Sequence, residues 1–525
     1  MKNITLSNGF RLISLELNKH KVFKSRIKYH FQDELDSHEQ LYTTVIIGPN
    51  GTGKSNLLKV VIQLFRELSH LKQGLKRNYD VDGEFSLVYD FEGNRYEYSN
   101  IVQSEKAENS TLTRKVASKQ AYYLKNGDEV DFYDIKLPEA IVANSIMLTD
   151  KYPVLRNDRE KERFPIYHYL GVKNRPQQAS TRSYVRKTVE FVVQQMTSYS
   201  FKECLDRVSG FLGLSGAVVI QYRTINTSMF FWGNLKVDSL KSYFRAIRTK
   251  YSKKDTIPPF KLKYFSGIEN DDSLLQSICD YCNELKKDER LGYIYRSSAK
   301  LIRFDIIDDS HHKRLQKEYE LLEHLRSLGM ISTPEIKLSD GDEYSLEESS
   351  SGQYHFFSSM IGIIATAKPN SLIFIDEPEV SLHPNWQMQY LSFLRELLDS
   401  GLYQGCHVVI ATHSHFLISD LKGKSSNIIG LKKTNNRIET VDLPCDIDTF
   451  GWSAEDVLYN VFDVSTTRNF YVAREIGFIL KEISKKEIDS IEIEKKYKEL
   501  AYIKESLKDS DPLKTLISKI EKEFL

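Results

Sequence analysis

An α/β fold, interrupted by a helix-rich insertion and closed by a helical C-terminal region, is what the 525-residue sequence predicts. Three observations point there. A β-branched run, Tyr42–Ile47, leads into a glycine-rich turn and an amphipathic helix. A second apolar strand, Ser371–Ile375, ends in adjacent carboxylates, Asp376 and Glu377. Between them, from about Lys151 to Lys300, helical patterns dominate, and they return after about Pro444.

In chain order, Phe10–Leu17 and Val22–Phe31 read as strands, and a helix is expected over about Lys54–Leu68. Strands follow at Glu84–Phe91, Arg95–Tyr98 and Ala140–Ala143. In the insertion, helices at Arg182–Ser198 and Phe201–Phe211 alternate with a strand at Ala217–Tyr222. The α/β pattern resumes with strand Ile302–Ile307, helix His312–Leu328 and strand Cys406–Ala411. Helices are expected at Ser453–Phe462 and Asn469–Ile483. The tail, Lys485–Leu525, sets Lys and Glu among Ile and Leu at helical intervals, the pattern of a helical hairpin. The expected division is 1–150 and 301–442 for the two halves of an α/β core, 151–300 for the insertion and 443–525 for the helical end. No internal repeat or sustained heptad pattern occurs.

Composition excludes several classes. With 41% hydrophobic and 28% charged residues, the chain reads as globular. Lys and Arg number 73 against 72 Asp and Glu, so contact with nucleic acid would need a local patch. No run approaches the ~18–20 apolar residues of a membrane helix, and the start has no signal-peptide core. The five cysteines, Cys204, Cys279, Cys282, Cys406 and Cys445, are too few for a disulfide framework. A cytoplasmic protein with no membrane partner is expected. Cys279 and Cys282 share a helical segment with no second pair nearby, which favours packed thiols over a metal site.

Gly48-Pro49-Asn50-Gly51-Thr52-Gly53-Lys54-Ser55 has the phosphate-loop pattern, set between a strand and a helix. Backbone N–H groups from Asn50, Gly51, Gly53 and Asn56 would cradle phosphates, helped by the helix dipole. Lys54 would add a point charge and Ser55 a hydroxyl ligand for Mg²⁺. Asp376 and Glu377 end an apolar strand, so they stand at the sheet edge where ligands collect. Asp376 is placed to hold Mg²⁺ through water, and Glu377 to polarise an attacking water.

The run Asp376-Glu377-Pro378-Glu379-Val380-Ser381-Leu382-His383-Pro384 resembles the joined Walker B and D-loop of ABC-type ATPases that act on nucleic acids. His413, in Ala411-Thr412-His413-Ser414, resembles their switch histidine. Ser349-Ser350-Ser351-Gly352-Gln353 resembles a divergent ABC signature, with Ser350, Gly352 and Gln353 matching and Ser in place of the leading Leu and first Gly. The signature lies 24 residues before Asp376 (376 − 352) and opens a helix, Tyr354–Ala367. The resemblance implies an ABC-type P-loop ATPase core that binds ATP and Mg²⁺ and completes its sites by head-to-tail dimerisation. In that arrangement Glu377 is the base and His413 senses the γ-phosphate. Ser350, Gly352 and Gln353 serve the site of the opposite copy. The glutamine of the Q-loop has no match: Asn144-Ser145…Asp150-Lys151 follows the appropriate strand without one, and Gln177 and Gln178 come later.

Among SMC- and OLD-like relatives, the chromosome-maintenance ATPases carry long coiled coils at the insertion point, and this sequence carries none. The OLD-family nucleases place a metal-dependent nuclease domain after the switch histidine. Here about 110 mostly helical residues follow His413, with Asp446 and Asp448 as a lone D-x-D, so an intrinsic nuclease is not expected. Tyr167-His168-Tyr169-Leu170-Gly171-Val172 and the Arg/Gln-rich run to Arg186 resemble the ATPase subunit of Septu-type antiphage systems (PtuA), including retron-borne versions. So does Gly451–Phe462 with Thr466–Asn469. This resemblance implies an HNH-type nuclease partner (PtuB-like) and, in retron versions, a reverse transcriptase with its RNA–DNA product. The alternatives are a stand-alone RecF-like repair ATPase and a nucleotide-gated scaffold with little turnover. Between Lys236 and Lys263, nine basic residues face two acids, and Lys241, Arg245 and Arg248 share one helical face suited to phosphates.

Overall fold

The computed structural model describes residues 9–32, 41–75, 81–101, 121–155, 158–175, 178–179, 181–195, 199–214, 216–225, 228–231, 233–252, 259–287, 292–293, 300–398, 403–419, 421, 425–435, 437–441, 449, 452–460, 470–483, 490–507 and 511–524. The chain divides into two compact units, Met1–Gly451 and Trp452–Leu525.

The first unit is α/β, as the sequence indicated, and is built on a seven-stranded sheet. Its order is Arg437–Val441, Ser426–Thr434, Tyr42–Ile47, His407–Thr412, Leu372–Asp376, Ile141–Ser145 and Tyr167–Tyr169. Every neighbouring pair is parallel except the first. Parallel strands covered on both faces read as continuous apolar runs, and Tyr42–Ile47, Leu372–Asp376 and His407–Thr412 are buried along their whole length. The two strands at one edge, Arg437–Val441 and Ser426–Thr434, were not anticipated. Their run of lysines and asparagines hid the β-branched residues that carry the pairing.

A second sheet of six antiparallel strands begins Ile27–His30, Arg11–Asn18, Glu84–Phe91. Its apolar face packs Phe10 and Tyr89 on Phe65 of the helix Lys54–Lys72. The strand expected over Val22–Phe31 begins only at Ile27. Lys19 and Lys24 have positive φ, and Lys24 N–H donates to His20 O at 2.8 Å, so the preceding residues form a turn. A third, five-stranded antiparallel sheet joins Val219–Arg223 to Lys300–Asp305 and Glu335–Ser339.

One buried imidazole stitches the two larger sheets together. Leu12 N–H donates to His407 Nδ1 at 2.9 Å, while His407 Nε2 lies 2.8 Å from Thr44 Oγ1. The Thr44 hydroxyl itself donates to Phe31 O, so the ring proton sits on Nε2 and donates to Thr44. Burial, aided by Arg11, holds His407 well below the usual imidazole range.

In the second unit, Phe470–Ile483, Ser490–Ser506 and Pro512–Phe524 surround a core that includes Ile479, Leu500 and Ile517. The expected tail hairpin is thus two helices, the second opened by Asp511 accepting Leu513 N–H at 2.8 Å. Glu475 is buried but paired with Arg474 and Lys496, which hold its carboxyl below the usual range. Among the described residues, no helix is long and apolar enough to cross a membrane.

Candidate nucleotide site

The strand Tyr42–Ile47 delivers Gly48 to the C-terminal edge of the parallel sheet. Pro49, Asn50 and Gly51 stand exposed at the tip of the loop that follows. Gly53, with φ +88°, precedes the first helical residue, and a Cβ there would lie 2.8 Å from the Phe23 ring. Only glycine meets both conditions. No side chain caps this helix, so its first-turn N–H groups are directed at the loop.

Lys54 is buried. Its Nζ donates to Gly48 O at 2.8 Å and lies 2.6 Å from His413 Nε2. Burial lowers its pKa to about 8, against the opposing pull of Glu377, Asp376 and Glu379. His413 is also shifted down, by burial and then by Lys54, which keeps the ring neutral and able to accept. Ser55 Oγ donates to Asp376 Oδ1 at 3.1 Å. Burial pushes Asp376 up to about 7 even though the Ser55 hydrogen bond favours its charged form.

Glu377 leaves the strand through a backbone at φ +51°, uncommon for a residue with a Cβ, while its N–H still donates to Ala411 O at 2.8 Å. The bend brings its Oε1 to 3.4 Å from His413 Nε2. Lys54, Ser55, Asp376, Glu377 and His413 therefore converge, although up to 359 residues apart in sequence. Two further side chains fix this arrangement and were given no role from the sequence. Glu379 Oε1 accepts His413 N–H at 2.6 Å, and Gln387 accepts from Ser414 Oγ at 2.6 Å. Its position three residues after Asp376 was the only signal available for the first.

Ser350, Gly352 and Gln353 lie elsewhere. Ser350 caps the helix Ser351–Thr366, its Oγ accepting Gln353 N–H at 3.2 Å, while Gln353 Oε1 accepts Ser350 N–H at 3.2 Å. A Cβ on Gly352 would lie 2.7 Å from Ser381 O, so this helix end sits against the D-loop. Among the described residues, no hydrogen bond joins these three to Lys54 or Ser55. The strand beside Leu372–Asp376 ends at Ser145, and the turn after it holds no glutamine. It is stapled instead by Asp150, which accepts from Lys173 Nζ at 2.9 Å and Tyr169 OH at 2.7 Å.

Lys241, Arg245 and Arg248 lie on the helix Val237–Ser252, away from this site in the fold, and each is ion-paired: Lys241 with Asp272, both arginines with Glu269. Cys279 and Cys282 are buried free thiols pushed up to about 11 and 12 by burial. Among the described residues, no group of three or more His, Cys, Asp or Glu side chains could hold a metal. Cys445, Asp446, Asp448, Gln177, Lys253, Lys254 and the segment 461–469 lie outside the described residues, as does the Gln178 side chain.

Ser55 and Asp376 suit Mg²⁺, which takes few protein ligands, all oxygen, and completes its shell with phosphates and water. The Asp376 carboxylate, buried and, among the described residues, with only Ser55 as its hydrogen-bond donor, is the group such a cation would satisfy. A glycine-rich loop, an uncapped helix start, a buried lysine and two strand-end acids make this the candidate phosphate-loop nucleotide site. The chain belongs to the AAA ATPase domain family, whose model matches residues 11–418. It is 31% identical over 109 residues to the Old nuclease of Escherichia phage P2, a match spanning 21% of this chain and 18% of that protein. Among solved structures it is similar to the Smc head domain of Pyrococcus furiosus bound to the C-terminal domain of ScpA (12% identity, 83% of this chain, 96% of that one, TM-score 0.32). The SMC head domain of Thermotoga maritima is a further match (12% identity, 83% and 99%, TM-score 0.31).

Proposed function

We propose that this ATPase binds and hydrolyses ATP in a head-to-tail dimer, and that its nucleotide state controls a separate nuclease in antiphage defence. The observation that carries the first part is the convergence of Lys54, Ser55, Asp376, Glu377 and His413 at one sheet edge. Lys54 would turn from Gly48 O and His413 toward the phosphates, joined by the N–H groups of the loop. Ser55 and Asp376 would hold Mg²⁺, which supplies charge neutralisation on the phosphate oxygens. Glu377, bent out of its strand, would take a proton from the attacking water. His413, neutral and held by Glu379, would contact the γ-phosphate as a hydrogen-bonding group.

Head-to-tail pairing is supported by the position of Ser350, Gly352 and Gln353. They open a helix against the D-loop and, among the described residues, make no hydrogen bond to Lys54 or Ser55 of their own chain. A second copy would present them to the nucleotide. Control of a nuclease is supported by the resemblance of Tyr167–Val172 and Gly451–Phe462 to Septu-type ATPases, and by the short match to the Old nuclease. The partner would be an HNH-type nuclease, with a reverse transcriptase and its RNA–DNA product where a retron is attached.

The test is Glu377→Gln. Binding should survive, hydrolysis should fall about 10²–10⁴-fold, and ATP should trap a dimer visible by light scattering. Wild-type turnover in this variant would assign the base elsewhere. Metal-dependent cutting of nucleic acid by the purified chain alone would overturn the division of labour.

A further inference from the structure

The helix Ser351–Thr366 faces the strands that end at the site. His355 and Ser359, one turn apart, share the face that meets them. Ser359 Oγ donates to Asn144 Oδ1 at 3.3 Å in buried surroundings. Asn144 and Ser145 end their strand in register with Ile375 and Asp376. Between helix and strands lies a cavity of about 10 Å³, lined by Asn144, Ser145, His355, Ser359 and Asp376 among others. That is about the room one water needs. His355 Nδ1 is buried and has no hydrogen-bond partner among the described residues. A buried ring nitrogen left alone is costly, and a water in this cavity, whose largely apolar wall carries the polar groups of Asn144, Ser145, Ser359 and Asp376, offers the usual remedy.

We propose that His355 is a positioning residue which, through one buried water shared with Asn144, Ser145 and Asp376, ties the helix opened by Ser350 to the metal-side carboxylate. The inference rests on reading Ser55 and Asp376 as the Mg²⁺ site. Its physical content is an outer-shell link: a carboxylate held by a second layer of hydrogen bonds presents its oxygens in one orientation, and losing that layer weakens the metal site. The link also has a direction. His355 follows Ser350 by five residues, so one short helix would join this chain's Asp376 to the groups offered to a partner's nucleotide. A shift of the carboxylate on metal binding would move the helix end.

The experiment uses the full chain with a fluorescent ATP analogue and titrates Mg²⁺ at fixed nucleotide. His355→Phe fills the cavity and removes the nitrogen. It should raise the Mg²⁺ concentration for half-maximal nucleotide binding about 10-fold, with nucleotide affinity in EDTA unchanged. His355→Gln, which restores a polar group, should return the requirement to within about twofold. A crystal structure should show one ordered water between His355, Asn144 and Asp376. Should His355→Phe fail to fold, Ser359→Ala removes the donor to Asn144 without added bulk and should raise the requirement about threefold. Unchanged Mg²⁺ dependence in a folded variant, or a dry cavity in the crystal, overturns the inference. Absence of any Mg²⁺ dependence in the wild type overturns the site assignment itself, so the two failures are told apart.

Discussion

Lys54 and Arg245 are both cations beside carboxylates, yet they sit in different physical worlds. Lys54 is 5% exposed, loses part of its proton affinity to burial, and faces Asp376, Glu377 and Glu379 at a strand edge where the backbone is bent to aim them. Arg245 lies on a helix surface with its side chain 59% exposed and pairs with Glu269, an arrangement worth little in water. Sequence shows both as charged residues in suggestive patterns. Burial separates them, because desolvated charges persist only where something stabilises them, and in the proposed role of Lys54 that something would be a nucleotide with its metal.

Breaking the first region should therefore have the larger effects. Lys54→Ala removes the lysine that reaches the loop carbonyl of Gly48. ATP affinity should fall about 100-fold, the worth of a charge-assisted contact in a buried site, measured by equilibrium binding. Unchanged affinity would sink the site assignment.

Glu379 sharpens the same region without touching nucleotide. Its carboxylate fixes the backbone of His413, so Glu379→Ala should lower kcat about 10–100-fold with ATP affinity within about threefold of wild type. Glu379→Gln keeps a carbonyl acceptor and should retain most of the rate. Equal losses in both variants would show that Glu379 acts by its charge and not by position.

The legible part of the sequence was the part written in local rules. The phosphate loop, the strand ending in Asp376 and Glu377, and the helix opened by Ser350 each carry a motif whose geometry is set within a few residues. The fold class followed from them. What stayed hidden depends on neighbours distant in sequence. Glu379 acquires its role only when His413, 34 residues on, is folded against it. The strands Ser426–Thr434 and Arg437–Val441 become recognisable by pairing with Tyr42–Ile47 and each other. The acids that partner Lys241, Arg245 and Arg248, Glu269 and Asp272, lie beyond residue 263, so a count along 236–263 could not include them.

His407 gives a measurable pH signature to the seam between the two larger sheets. Its folded pKa is depressed, so below the unfolded value of about 6.5 the unfolded chain binds the extra proton and stability falls as pH falls. Between pH 7 and pH 5 this residue should cost about 2 kcal/mol, read as a drop in denaturant midpoint. His20, His168 and His312 are depressed too and add to the slope with the same sign. His407→Gln should be less stable at pH 7, through loss of the bonds to Leu12 and Thr44, but its stability should vary less with pH. An unchanged pH slope in a folded variant would show that the ring is not held neutral.

The smallest effect is expected on the helix Val237–Ser252, and it tests the comparison from the other side. Three cations free to meet phosphates would contribute about 0.9 each to the slope of log affinity against log salt on duplex DNA. Here Glu269 and Asp272 already occupy them, so part of any phosphate contact is spent on displacing an acid. Neutralising all three, as Lys241→Gln with Arg245→Gln and Arg248→Gln, should change the slope by less than about 1 and leave ATP turnover near wild type. Glu269→Gln should act oppositely, releasing two arginines on an exposed face and strengthening association at low salt. If the triple variant instead loses nearly all affinity, the pairs seen here open on binding and the face is a true nucleic-acid surface. If Glu269→Gln changes nothing, nucleic acid is held elsewhere, and the charge on this helix serves only to hold its neighbours in place.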